Sequence, residues 1–282
     1  MEKELVYKFR DCENEYHRRM LLQNEIYFAT PKSLNDPFDC HIDCNFSSLT
    51  DTEIEEYIND QIQYEEEVAF KSGKSIDKKG LRKIIEETIN NEEKLLKFQK
   101  KYNDDNFNTL NKNFGVFCCC QNTKHEEGWQ NIMLWSHYAN GHKGFCVGID
   151  KNVLCSKVTN GPLNVKPVYP TLKPLVAIEK NRKNIIENFK VEISSKFISW
   201  EYENELRFVK INTNKDNLNG LKEEDRTLIL PLGIIEEVTM GLCIDDWHKE
   251  AITNICKSKG IKLYQAVKKP FEFSIDRFRL NI

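Results

Sequence analysis

The chain has 282 residues, 40% hydrophobic and 30% charged, enough to bury a sizeable core, and it contains no apolar run long enough to span a membrane. Its formal net charge of -3 argues against a dedicated nucleic-acid coat, so nucleic acid enters only as a substrate. The opening Met1-Glu2-Lys3-Glu4-Leu5 lacks the basic-then-apolar layout of a secretory signal.

Ten cysteines are many, but Cys118, Cys119 and Cys120 are adjacent and no CxxC pair occurs. That spacing suits small buried hydrophobes in a reducing cytoplasm better than a disulfide framework or a zinc site. We therefore expect a cytoplasmic protein with no structural metal.

In chain order, Leu5–Arg10 alternates as a strand, Glu13–Gln23 has helical spacing, and Glu25–Ala29 reads as a second strand. Pro31 and Pro37 bracket a loop that contains Asn35-Asp36-Pro37-Phe38-Asp39, and His41–Phe46 reads as a third strand. Residues 50–111 change character: Asp51 to Phe70 carry eight acids and no Lys or Arg, with apolar residues near helical spacing. This predicts a helical insertion within a single domain spanning 1–282.

Strand character returns at Phe114–Cys120. A helix over Glu127–Asn140 is closed by Gly141, and a strand follows at Gly144–Ile149. Val165–Tyr169 reads as a strand and Val176–Phe197 as a long helix. Strands follow over Glu203–Lys210, Thr227–Leu232 and Ile235–Leu242. Asp245–Ser258 is a capped helix, and Lys262–Val267 and Phe271–Phe278 close the chain. Strands and helices mix without strict alternation, which predicts an α+β fold with mixed, mostly antiparallel sheets.

Four clusters carry chemistry. Tyr7-Lys8-Phe9-Arg10 puts two cations on one strand face, suited to a phosphate or carboxylate or simply to solvent. Asp36 or Asp39 in the Asn35–Asp39 loop faces a ligand, or else the loop is only a structural turn. Trp135-Ser136-His137-Tyr138 leads through Gly141-His142-Lys143-Gly144 into a strand. A helix end and glycine turn of this kind can hold an aromatic ring, or else these side chains pack a core. In Trp200–Phe208, a strand period of two puts Glu201, Glu203, Glu205 and Arg207 on one face. A Glu-x-Glu pair there suits an oxocarbenium-like state, with a salt-bridged strand as the structural alternative.

Together these residues resemble a bacterial family described only as a domain of unknown function, number twenty-nine seventy-one. The resemblance rests on Tyr7–Arg10, Ile26-Tyr27-Phe28 with Asn35–Asp39, Leu134–Ala139, His142–Phe145 and Trp200–Arg207. The order of early Arg, central aromatic and Ser/His helix, and late Glu is also similar to the ADP-ribosyltransferase superfamily. That resemblance implies NAD as substrate: Arg10 on its phosphates or adenosine ribose, Ser136, His137 or Tyr138 near nicotinamide, and Glu205 on the ribosyl cation with Glu203 as helper. Tyr7, Asn35, Asp36, Trp135, His142 and Arg207 complete the expected site.

The expectation is thus an NAD-dependent ADP-ribosyltransferase-like enzyme, a toxin or phage-defence effector. Its partners would be a small-molecule nucleotide and a macromolecular acceptor that the sequence does not name. One alternative is a non-catalytic module that binds a nucleotide or peptide in the same cleft. The other is a metal-dependent hydrolase or nuclease using Asp36, Asp39, Glu203 and Glu205.

Overall fold

The computed structural model describes residues 3–43, 45–157, 192–212 and 220–282. Within these, β1 (Leu5–Arg10), β3 (Phe114–Cys120), β4 (Phe145–Asp150), β5 (Glu205–Ile211), β7 (Ile235–Met240), β8 (Lys262–Lys268) and β9 (Ile275–Arg279) form one seven-stranded sheet. Its order is β5-β3-β1-β4-β7-β8-β9. Every neighbouring pair is antiparallel except β7 and β8, which run parallel and are joined by a helix, α7 (Asp246–Lys259). A parallel pair needs such a crossover, because a tight hairpin can only join antiparallel strands. A second, two-stranded sheet pairs β2 (Glu25–Tyr27) with β6 (Thr227–Ile229). The fold is α+β with a mostly antiparallel sheet, as the mixed order of elements predicts.

Side chains that should end helices do so. The Asn14 carboxamide accepts from the Tyr16 and His17 amides to start α1 (Glu15–Gln23), and Asn24 closes it in the left-handed region at φ 55°. Asp245 caps α7, and Gly260 at φ 67° ends it. Gly144 has a different reason to be glycine: a Cβ there would collide with the Arg10 carbonyl oxygen, so the turn into β4 could not lie against β1.

The described chain groups into two compact units. The first comprises Met1–Ser33, Asn113–Pro167 and Ser199–Ile282, and it holds both sheets. Its large sheet buries residues on both faces. One face carries Val6, Phe117, Cys119, Val147, Leu206, Phe208 and Val238 in a core shared with Met20 and Leu21 of α1 and Ile252 and Cys256 of α7. The other carries Tyr7, Phe9, Cys120 and Cys146, packed with Trp129, Leu134, Trp135 and Ile275.

The second unit comprises Leu34–Lys112 and Val168–Ile198. The helical stretch expected over 50–111 appears as α2 (Asp51–Lys71), α3 (Lys78–Ile89) and α4 (Glu92–Asn113). Thr50 and Glu53 form a reciprocal cap at the start of α2. Phe46 sits at the centre of the helical core, with ring centroids 5.2 Å from Tyr57, 5.1 Å from Phe98 and 5.3 Å from Tyr102. Arg82 of α3 bonds Glu55 at 2.8 Å and Asn59 at 2.8 Å on α2, so the acid-rich face of that helix is partly paired.

Several expected boundaries shift. His41–Asp43 is irregular and Phe46–Ser48 is a 3-10 turn, so no strand runs there among the described residues; Phe46 is claimed by the helical core. The helix expected over Glu127–Asn140 splits into a 3-10 turn, Gly128–Gln130, and α5 (Ile132–Tyr138). Asn131 restarts the helix by accepting from the Met133 and Leu134 amides. A short helix, α6 (Lys151–Lys157), follows β4. The strand expected at Val165–Tyr169, and the helix expected from Val176 up to residue 191, lie outside the described residues. Glu192–Ser194 is helical.

Candidate functional site

Strand register decides which of the expected site residues share a face. Tyr7 lies opposite Cys120, and Cys120 lies opposite Glu205. Directly paired residues project to the same side of a sheet, and residues alternate along each strand. Tyr7, Glu205 and Arg207 therefore project to one face. Lys8, Arg10, Leu206 and Phe208 project to the other. This corrects the expectation that Arg10 and the late carboxylates line one hollow: period-two alternation places them on opposite sides of the sheet.

The acid ladder also needs correction. Ile198–Glu203 is a 3-10 turn rather than strand. Asn204, at φ 40°, switches the chain from turn to strand, and its side chain donates to the Gln121 carbonyl at 2.9 Å and the Asn122 carbonyl at 3.0 Å. Only Glu205 and Arg207 share a strand face. They bond to each other, Arg207 Nε to Glu205 Oε1 at 2.8 Å, with Arg207 at 0% exposure and Glu205 at 4%. That arrangement is the salt-bridged strand.

The turn nevertheless brings Glu203 somewhere useful. Glu203 is buried, and the Tyr138 hydroxyl donates to its Oε1 at 2.7 Å. Asn131 donates to the Tyr202 carbonyl at 2.7 Å, tying the turn to the start of α5. Around this point His137, Trp200 and Tyr202 make a ring of side chains. Centroids are 6.3 Å apart for His137–Trp200, 6.4 Å for His137–Tyr202 and 6.0 Å for Trp200–Tyr202. His137 is exposed, while Trp200, Tyr202 and Tyr138 are half-buried. A buried carboxylate beside partly open aromatic rings can hold a planar cation, through charge and through the ring faces. Trp200 and Tyr202 were not among the expected site residues. Their alternation with acids predicts a strand, which turns them away from the glutamates.

The remaining expected residues fall elsewhere. Trp135 is fully buried, 5.1 Å from Phe9, and its indole N–H donates to the Trp129 carbonyl at 2.7 Å; it is core, not ligand contact. Ser136 is exposed and donates back to the Ile132 carbonyl at 3.1 Å. His142 takes the left-handed region at φ 67° and stacks on Trp135 at 5.8 Å, and burial holds its pKa below the usual imidazole range. It lines the turn after α5, not the His137 cluster.

Tyr7 faces a second polar group that no sequence pattern announces. Arg277 lies between the rings of Trp129, at 4.4 Å, and Tyr264, at 4.1 Å, and bonds Glu237 at 2.5 Å and Thr239 at 2.9 Å. Burial, then Glu237 and Glu127, push the Tyr7 hydroxyl well above its ordinary pKa.

Asn35 and Asp36 lie in the second unit. Asp36 is buried and accepts from the Phe38 amide at 2.9 Å, the bond of a structural turn. Asp39 lies 3.8 Å from Lys196, both side chains 4% exposed. Among the described residues, the side chains close enough to share a metal ion are Glu13, Asp245 and His248, a set that contains none of Asp36, Asp39, Glu203 and Glu205.

Among the described residues, Cys12, Cys119, Cys120 and Cys256 are free thiols. Burial pushes the thiols of Cys12, Cys119, Cys120 and Cys256 up to about 12, so they stay protonated and pack as hydrophobes. No described helix is long and apolar enough to cross a membrane.

Residues 134–208 match a family model described as a protein of unknown function (DUF2971). The matched segment runs from Leu134 of α5 to Phe208 of β5, so it contains His137, Tyr138, Trp200, Tyr202, Glu203 and the Glu205–Arg207 pair. The family resemblance read from the sequence is therefore found over this segment, and the description assigns no activity. No curated protein and no solved structure matches the chain.

Proposed function

We propose that His137, Tyr138, Trp200, Tyr202 and Glu203 form an NAD-binding site for ADP-ribosyl transfer. The observation that carries the reading is the buried Glu203 carboxylate, oriented by the Tyr138 hydroxyl at 2.7 Å, beside three aromatic rings. The nicotinamide of NAD is a planar cation, and aromatic faces with a nearby carboxylate suit it. Glu203 takes the role first expected of Glu205, because Glu205 is engaged with Arg207.

In the reaction, the bond from ribose C1' to the nicotinamide nitrogen breaks and its electron pair leaves with neutral nicotinamide. Positive charge develops on the ribosyl carbon, and the Glu203 carboxylate stabilises it. An acceptor nucleophile bonds to C1' and gives up its proton, for which exposed His137 is the nearest base in the cluster.

The test is calorimetric titration with NAD, followed by nicotinamide release, on wild type and Glu203→Gln. Binding should persist in the variant while release falls about 100-fold or more, the size of losing one charge-stabilising group. Trp200→Ala should weaken binding instead. Absence of NAD binding at millimolar concentration would sink the reading.

A second reading, a non-catalytic nucleotide-binding module, is favoured by the Tyr138–Glu203 bond itself, since a carboxylate that holds a hydrogen bond at rest can serve recognition alone. It predicts NAD binding of equal strength in wild type and Glu203→Gln, with no nicotinamide released by either.

A further inference from the structure

The opposite face of the sheet raises a separate question. Lys8 and Arg10 lie two apart on β1 and project there together. Lys8 Nζ stands 5.2 Å and the Arg10 guanidinium carbon 5.9 Å from the centroid of the same ring, Phe117. Both cations are half-buried. Neither has an ion-pair partner among the described residues, and Arg10 Nε is buried with no hydrogen bond. The carboxylate that Lys8 feels is Glu205, which projects from the far side of the sheet. Lys210 adds a third cation nearby, 5.9 Å from Phe28, whose ring is 6.2 Å from Phe117.

Other neighbours do not cancel this charge. His17 of α1 is close enough to be held down to about 4, by burial and then by Arg10 and Lys8, so it is neutral at pH 7. Its Nδ1 accepts from the Asp11 amide at 3.1 Å, which leaves the ring proton on Nε2 as a donor. The thiol of Cys119 stays protonated. Burial holds Lys8 below its ordinary value and Arg10 at about 10. Two adjacent cations, partly desolvated and with no ion pair among the described residues, are costly unless an anion completes them.

We propose that Lys8 and Arg10 form a binding site for a small phosphate-bearing anion, on the face of the sheet opposite Glu203. Arg10 supplies a planar fork of donors and Lys8 a point charge, a pairing suited to phosphate oxygens. A phosphate monoester carries nearly two negative charges at pH 7 and matches the pair, whereas a carboxylate leaves one cation unbalanced. β1 is flanked by β3 and β4, so the cations rise from the middle of the sheet and favour a small ligand. This site stands independently of the NAD reading.

The experiment is thermal unfolding of the full chain in inorganic phosphate, in pyrophosphate, and in acetate at equal ionic strength. Phosphate and pyrophosphate should raise Tm by several degrees in a saturable way, and acetate should not. Lys8→Gln and Arg10→Gln should each weaken phosphate at least tenfold. Both variants should also melt higher than wild type in phosphate-free buffer, because each removes a like-charge neighbour. Equal shifts in acetate and phosphate, a phosphate shift that survives in the double variant, or variants that melt lower without phosphate would each overturn the assignment.

Discussion

The two faces of the large sheet handle charge in opposite ways. On the Tyr7 face, buried charge is matched: Arg207 bonds Glu205, and Arg277 bonds Glu237 between two aromatic rings. On the Lys8 face, Lys8 and Arg10 sit over Phe117 with no ion-pair partner among the described residues. A matched buried pair is costly to break, because removing one partner leaves the other charged and desolvated. An unmatched pair of cations is costly to keep. The first arrangement reads as architecture and the second as a place where something outside the protein completes the charge balance.

That contrast can be broken by substitution. The largest effect should come from Arg207→Met, which removes the cation bonded to buried Glu205: about 3–5 kcal/mol of stability lost, read by urea unfolding. If this variant unfolds at the same urea concentration as wild type, the Glu205–Arg207 pair does not hold the strand. Next comes a buried acid in the second unit. Glu192 is buried and bonded by Asn106 at 2.9 Å, and burial raises its pKa from 4.5 to about 7. The folded chain therefore holds that proton more tightly than the unfolded chain. Stability contributed by the protonated form is complete below pH 4.5 and is lost as pH rises through 7. Tm should decline over that window, and Glu192→Gln should flatten the decline; an unchanged slope counts against it.

The smallest effect sharpens the comparison at the candidate site. Tyr138→Phe removes the hydrogen bond to buried Glu203 and should cost about 1–3 kcal/mol, less than Arg207→Met, because the glutamate lies beside a partly open cluster. The same variant should reduce nicotinamide release if Tyr138 orients the carboxylate. A loss as large as that of Arg207→Met would mean that Glu203 is structural.

Much of the architecture was legible in the residues. Leu5–Arg10 and Phe114–Cys120 alternate or run apolar and form strands over those residues, and the polar, helix-spaced stretch after Thr50 forms three helices. The site was legible only in part. His137, Tyr138 and Glu203 do come together, but Trp135 proves to be core, since an indole at helical spacing looks the same whether it faces ligand or interior. Arg277 with Glu237, Trp129 and Tyr264 gave no signal, because its members come from four separate parts of the chain.

By itself the sequence determined the local periods, the caps and the order of elements, because those depend on neighbours within a turn or a strand. Tertiary structure decided which side of the sheet each charge meets. A left-handed Asn204 ends the turn at Glu203 before the strand begins, and cross-strand register then carries Tyr7 with Glu205 and turns Arg10 away. One backbone conformation and one pairing register set those outcomes, and neither is written in the spacing of the residues they sort.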